Sequence, residues 1–184
     1  MAESSSRTST SGDRRKRISL RQFQTELVAR LAEQAAAPDV VSQLGIETAG
    51  QRWLCRLDEI EEILTPQALT PVPLTRPWFL GLTNVRGSLY SVVDFAFFYT
   101  KQPTPMDSET RLMLLNRSTG AENMALLIQQ VYGLRSIQGF ASTGQKLEDP
   151  SWNIENWMDA DGNVWKEMSL SELAKSPAFQ HIGR

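Results

Sequence analysis

Pro73-Leu-Thr-Arg-Pro-Trp-Phe-Leu-Gly-Leu-Thr-Asn-Val-Arg-Gly-Ser-Leu-Tyr-Ser-Val-Val-Asp-Phe95 is the stretch on which the reading of this chain turns. Thr75 to Gly81 predicts one short helical turn, with Thr75 as cap and Gly81 as stop. Asn84-Val-Arg-Gly87 predicts a tight turn, and Leu89–Phe98 a strongly apolar strand. Backbone geometry accounts for Gly81 and Gly87. It does not account for Arg86 inside a tight turn or Asp94 inside an apolar strand. A charge beside an apolar strand needs a partner.

To the N-terminal side, Gln43–Glu47 and Gln51–Leu57 read as strands joined at Thr48-Ala-Gly50. Alternation in the second strand puts Trp53, Cys55 and Leu57 inside and Arg52, Leu54 and Arg56 outside. A lone buried cysteine is a small inert hydrophobe. The following segment carries Ile60 and Ile63 among four acidic residues, Asp58, Glu59, Glu61 and Glu62. Four prolines between 65 and 77 predict an extended, ladder-poor connection. To the C-terminal side, Lys101–Glu109 reads as a surface loop. Arg111–Leu115 and Met124–Tyr132 read as strands apolar enough for burial on both faces, as in a barrel packed against a second layer. Asp159-Ala-Asp-Gly162 predicts a hairpin between Trp152–Met158 and Asn163–Met168. Ser169-Leu-Ser-Glu172 is a capping box opening a helix that Pro177 limits.

Composition narrows the chemistry. With 41% apolar and 22% charged residues in 184, the chain can bury a sizeable core. One Cys excludes an internal disulfide, and one Cys with one His cannot supply a four-ligand zinc site. Histidine catalysis would rest on His181, near a chain end where a general base is poorly held. The group Asp58–Glu62 offers paired carboxylates for a small enzyme, but no second cluster converges on it, and surface charge or ion pairing is the better reading. Asp159 to Leu170 misses the calcium-loop pattern, since Val164 and Leu170 fall where Gly and Glu are required. Phosphate-binding, dinucleotide and hydrolase motifs are missing from the sequence.

Charge is unevenly spread. Residues 1–17 are net +3, and the rest of the chain is net −5. The tail is rich in Ser and Thr and poor in apolar side chains, which predicts a disordered leader. Residues 18–37 open with the capping box Ser19-Leu-Arg-Gln22 and place Leu20, Phe23, Leu27 and Leu31 on one helical face. No apolar segment follows the basic run, so a secretory signal is not expected, and no stretch is long enough to span a bilayer. A cytoplasmic protein is expected. An acidic body argues against nucleic acid as the partner.

With the motifs in order, the sequence resembles the CheW family of bacterial chemotaxis adaptors. The family pattern is a Pro-aromatic-Gly segment, then Asn-x-Arg-Gly, then an apolar strand ending in Val-Asp. It is read here in Pro77-Trp-Phe79, Gly81, Asn84-Val-Arg-Gly87 and Val92-Val-Asp94. Ile60-Glu-Glu-Ile63 resembles the end of the family's preceding strand. The resemblance runs over residues 41–175 and is strongest toward members serving type IV pilus (twitching) chemosensory systems. Ser91 stands where the family usually has Pro, and residues 1–40 have no counterpart in minimal adaptors.

The resemblance implies a mainly β fold, two SH3-like five-stranded barrels sharing an apolar core, with an added N-terminal helix. It implies a domain at 38–184 after the helix at 18–37 and the tail at 1–17. It implies no catalysis, no cofactor and no metal. The expected role couples the cytoplasmic tip of a methyl-accepting chemoreceptor to the regulatory domain of a CheA-type histidine kinase. Recruitment to inner-membrane arrays follows, without membrane insertion. The family's partner-binding positions fall on Ile60, Glu62, Gly81, Asn84, Val85, Arg86 and Gly87, with a Glu62–Arg86 ion pair. The residues alone leave one alternative, an SH3-like module that binds peptide or nucleic acid through its basic tail.

Overall fold

The computed structural model describes residues 43–144 and 150–183. The tail at 1–17, the helix at 18–37 and the start of the domain at 38 lie outside the described residues. The described residues form eleven strands: β1 (Gln43–Thr48), β2 (Gln51–Arg56), β3 (Ile60–Leu64), β4 (Phe79–Val85), β5 (Ser88–Asp94), β6 (Arg111–Leu115), β7 (Met124–Ile128), β8 (Gln130–Arg135), β9 (Ala141–Ser142), β10 (Asn153–Met158) and β11 (Val164–Met168). The described residues also form three short helices, α1 (Phe95–Thr100) between β5 and β6, and α2 (Leu170–Lys175) and α3 (Pro177–Gln180) after β11. The strands form two sheets, one ordered β8-β1-β2-β11-β10-β9 and one ordered β3-β6-β7-β5-β4. The mainly β, two-sheet architecture is the one the resemblance implied. Its larger sheet gains a sixth strand from two-residue β9.

Local chemistry explains the hairpins. Ala49 and Gly50, at φ 56° and 67°, make the left-handed turn that matches strand twist between β1 and β2. At Asp159–Asn163 the Asp159 carboxylate accepts from the N–H groups of Asp161 and Asn163, holding the β10–β11 turn. Ser169 Oγ accepts from Glu172 N at 3.1 Å and starts α2 as expected. The other half of the box is not made, because Ser169 N donates to Trp152 O and Glu172 pairs with Lys175.

Both sheets pack on one apolar core. Trp53 of β2 meets Phe95 and Trp152 at ring-centroid distances of 5.7 and 5.6 Å, joined by Val93, Met113, Leu115 and Leu126 from the smaller sheet. That smaller sheet is apolar on both faces. Met113 and Leu115 enter the shared core, while Leu112 and Leu114 join Tyr90, Val92 and Ala125 in a second cluster. Leu64 of β3 and Leu80 of β4 pack on that same cluster, although their strands are opposite edges of the sheet. The sheet therefore curls around the cluster, and its two edges approach.

Four local expectations are corrected. Residues 75–81 form no helical turn. A tight turn closed by Phe79 N to Arg76 O leads straight into β4, and Gly81 lies within that strand at φ 126°. The strand predicted at Leu89–Phe98 ends at Asp94, whose Oδ1 accepts from Phe97 N and caps α1, so a cap overrides the β preference of the aromatic run. Met124–Tyr132 is two strands, because the chain passes from one sheet to the other at Gln129, whose N–H donates to Glu47 O. In β2, Leu54 is buried as well as Trp53 and Cys55, while Leu57 leaves the strand in a 3-10 turn and is exposed.

Candidate functional site

β3 carries the acidic run, and its register determines where each carboxylate points. A bulge between Ile60 and Glu62 sets Ile60 opposite Leu115 and Ile63 opposite Met113, so both isoleucines face the shared core despite their odd spacing. Glu62 falls opposite Leu114 and leans toward the sheet's other edge. There the β4–β5 hairpin turns through Arg86 and Gly87, at φ 51° and 89°. Asn84 Oδ1 accepts from Gly87 N at 2.8 Å, bracing the turn from within. A left-handed conformation costs an arginine roughly 1 kcal/mol. It aims the guanidinium back over the seam.

Arg86 Nη1 and Nη2 donate to the two Glu62 carboxylate oxygens at 2.8 and 2.7 Å, a bidentate pair across the two edges of the curled sheet. Arg86 keeps 74% of its side chain exposed and Glu62 31%. The pair is therefore a surface device with a fixed orientation. Leu89 on β5, opposite Asn84, is 58% exposed and presents bare apolar surface. Leu89 was not singled out in the sequence, because alternation puts it on the same face as buried Val93. Its exposure arises only because the core does not reach the open end of β5.

The other carboxylates of the run serve the fold one by one. Asp58 pairs with Arg56, which draws its carboxyl below the ordinary value. Glu59 is buried and accepts from Leu170 N, Ser171 N and Ser171 Oγ at the start of α2. Glu61 accepts from Tyr90 OH at 3.1 Å, and burial followed by that bond raises the phenol above its usual range. Four carboxylates with four separate partners do not make an acid–base pair. Among the described residues no cluster of His, Cys, Asp and Glu could hold a metal. Burial holds the Cys55 thiol far above its ordinary value, leaving it protonated.

Gly81 is buried within β4, against the backbone of the connection that precedes it. The connection from β3 returns along β4, with Thr70 N donating to Leu82 O and Leu82 N to Thr70 O. A β-carbon on Gly81 would lie 2.2 Å from Thr70 O. Close backbone approach and positive φ both demand glycine there. Ile60 is buried in the core. Glu62, Asn84, Val85, Arg86 and Gly87 are brought together at the seam, exposed or half-buried. Asp94, the second unexplained charge of the stretch, serves the fold: besides capping α1, it accepts from Thr104 N and Thr104 Oγ1 and pins the loop after the helix.

Among the described residues no helix is long and apolar enough to cross a membrane. The family model described as CheW-like domain matches residues 43–175. Protein PilI of Pseudomonas aeruginosa is 25% identical over 109 residues, 59% of this chain and 60% of that protein. The chain thus spans about 60% of the length of this curated relative. The crystal structure of the scaffolding protein TtCheW from Thermoanaerobacter tengcongensis is similar at a TM-score of 0.62 and 12% identity, over 77% of this chain and 96% of that one. At that identity the likeness shows the fold.

Proposed function

The chain belongs to the CheW-like domain family, and from that membership we propose that it couples the cytoplasmic tip of a methyl-accepting chemoreceptor to the regulatory domain of a CheA-type histidine kinase. Its similarity to PilI supports a place in a pilus-related chemosensory system that controls twitching. The observation that carries the reading is the bidentate Arg86–Glu62 pair, exposed at the seam. A charged pair of set geometry gives a partner register and orientation.

In this reading the adaptor works without chemistry of its own, in the cytoplasm, at receptor arrays of the inner membrane. The domain occupies 38–184, and the helix at 18–37 and the tail at 1–17 are additions to it. Capture from the native cytoplasm tests the class of partner. Tagged full-length protein, and a form lacking residues 1–37, are each expected to recover a chemoreceptor together with a large histidine kinase. Recovery of neither would reject the reading.

A further inference from the structure

The two sheets treat their second faces differently. In the smaller sheet that face is largely aliphatic, with Tyr90 as its one buried aromatic. In the larger one it is polar and aromatic. Register places Arg52 beside Trp165, and Leu54 between Gly45 and Glu167. Gln43 Nε2 and Trp157 Nε1 both donate to the Glu167 carboxylate on this face. A cavity of about 380 Å³ opens there, lined by Arg52, Tyr132, Arg135, Phe140, Asp161 and Trp165 among others. That volume is in the range of small-molecule sites.

Two guanidiniums share one indole at this cavity. Arg52 lies 5.7 Å and Arg135 5.5 Å from the Trp165 ring centroid, and Arg52 is also 5.6 Å from the Tyr132 ring. Trp165 is 3% exposed, so both cations are held against a fixed surface. Among the described residues neither arginine has a carboxylate partner, and the buried Arg135 Nε has no hydrogen-bond acceptor. Of the surrounding acids, Glu47 lies opposite Arg52 across β1 and β2 and accepts from Tyr132 OH, while Asp159 has its oxygens occupied by Trp165 Nε1, Asn163 Nδ2 and backbone N–H groups. Two guanidiniums outside ion-pair distance of every described carboxylate, one of them with an unpaired buried donor, can receive an added anion.

We propose that this cavity is a binding site for a small free oxyanion, a carboxylate or phosphate ligand seated on Arg52 and Arg135. Guanidinium forks fit both groups bidentately. Asp161, exposed on the rim, opposes the ligand's charge and weakens its binding. The site lies on the larger sheet, whereas the Arg86–Glu62 pair belongs to the smaller one, so it stands independently of the proposed coupling role.

The test follows the indole N–H signals of the full-length protein by NMR during titration with inorganic phosphate, citrate or a six-residue glutamate peptide at constant ionic strength. Trp165→Phe identifies the Trp165 signal. A saturable shift of that signal with phosphate or citrate is expected. Arg52→Gln and Arg135→Gln should each weaken binding by at least about tenfold, and Asp161→Asn should tighten it by about twofold. Arg52 is only half-buried, so its variant serves even if the Arg135 variant fails to fold. An unsaturable shift, a shift indifferent to both arginines, or none overturns the site. Saturable binding of the peptide alone overturns the free ligand in favour of a protein's acidic side chain.

Discussion

Arg86 reaches from the β4–β5 turn to Glu62 on β3 and binds both of its carboxylate oxygens, joining the two edge strands of one curled sheet. The pair closes the seam without being buried by it. An exposed ion pair contributes only about 0–1 kcal/mol, so fold stability does not account for so specific a geometry. The proposed coupling role assigns the pair to orienting a contact surface.

That assignment separates stability from function. Arg86→Ala should change the unfolding free energy by less than about 1 kcal/mol in urea melts. Arg86→Gly should melt no lower than the parent, since glycine relieves the left-handed strain at φ 51° while losing the pair. A loss above about 2 kcal/mol in either variant would mark the pair as a structural element instead.

At Gly81 the opposite balance holds. Gly81→Ala drives a β-carbon into Thr70 O at a backbone angle that L side chains rarely adopt. The expected cost is at least about 2 kcal/mol by urea unfolding. An aspartate there should perturb the seam further and abolish coupling. Full coupling by Gly81→Asp protein would refute the positioning role.

Glu59 ties the β2–β3 junction to the start of α2. Glu59→Ala strands the Leu170 and Ser171 donors that it satisfies and should cost about 1–3 kcal/mol. Hydrogen exchange at Leu170–Glu172 should accelerate more than at β6 or β7. Uniform acceleration through all strands would contradict a local role.

Asp159 gives the β10–β11 hairpin an acid limit. The hydrogen bond from Trp165, then that from Asn163, lowers its carboxyl from 3.8 to about 2. A carboxyl depressed in the folded state adds stability above its unfolded value and loses it as pH falls toward the folded one. The stability gap between parent and Asp159→Asn should therefore be constant above about pH 5 and shrink between about pH 4 and pH 2. A gap unchanged at pH 2 would dismiss the carboxylate's role.

What could be read from the sequence follows the range of each determinant. Turns and caps set by adjacent residues were legible: Ala49-Gly50, Asn84-Val-Arg-Gly87, Asp159–Asn163 and Ser169. So was two-sided burial of β6, whose unbroken apolar run has no polar face to offer water. The helical turn expected at Thr75–Gly81 failed because Gly81 answers to Thr70, eleven positions away and across a backbone pairing. Asp94 carried a legible cap signal, but the aromatic residues after it favoured a strand. The sheet switch at Gln129 has no local signature at all. The Arg86–Glu62 pair was reached through family resemblance. Arg86 in a tight turn announced a missing partner, and only the fold brings Glu62 within 2.8 Å.

The central claim is that the seam pair orients a partner-binding surface. The most direct measurement is reconstitution from purified components: a chemoreceptor cytoplasmic fragment, a CheA-type kinase, and either parent or Arg86→Ala protein, followed by sedimentation of the ternary complex. The account predicts that Arg86→Ala protein melts within about 1 kcal/mol of the parent yet fails to join the complex. Normal melting together with parental affinity in the complex would contradict it.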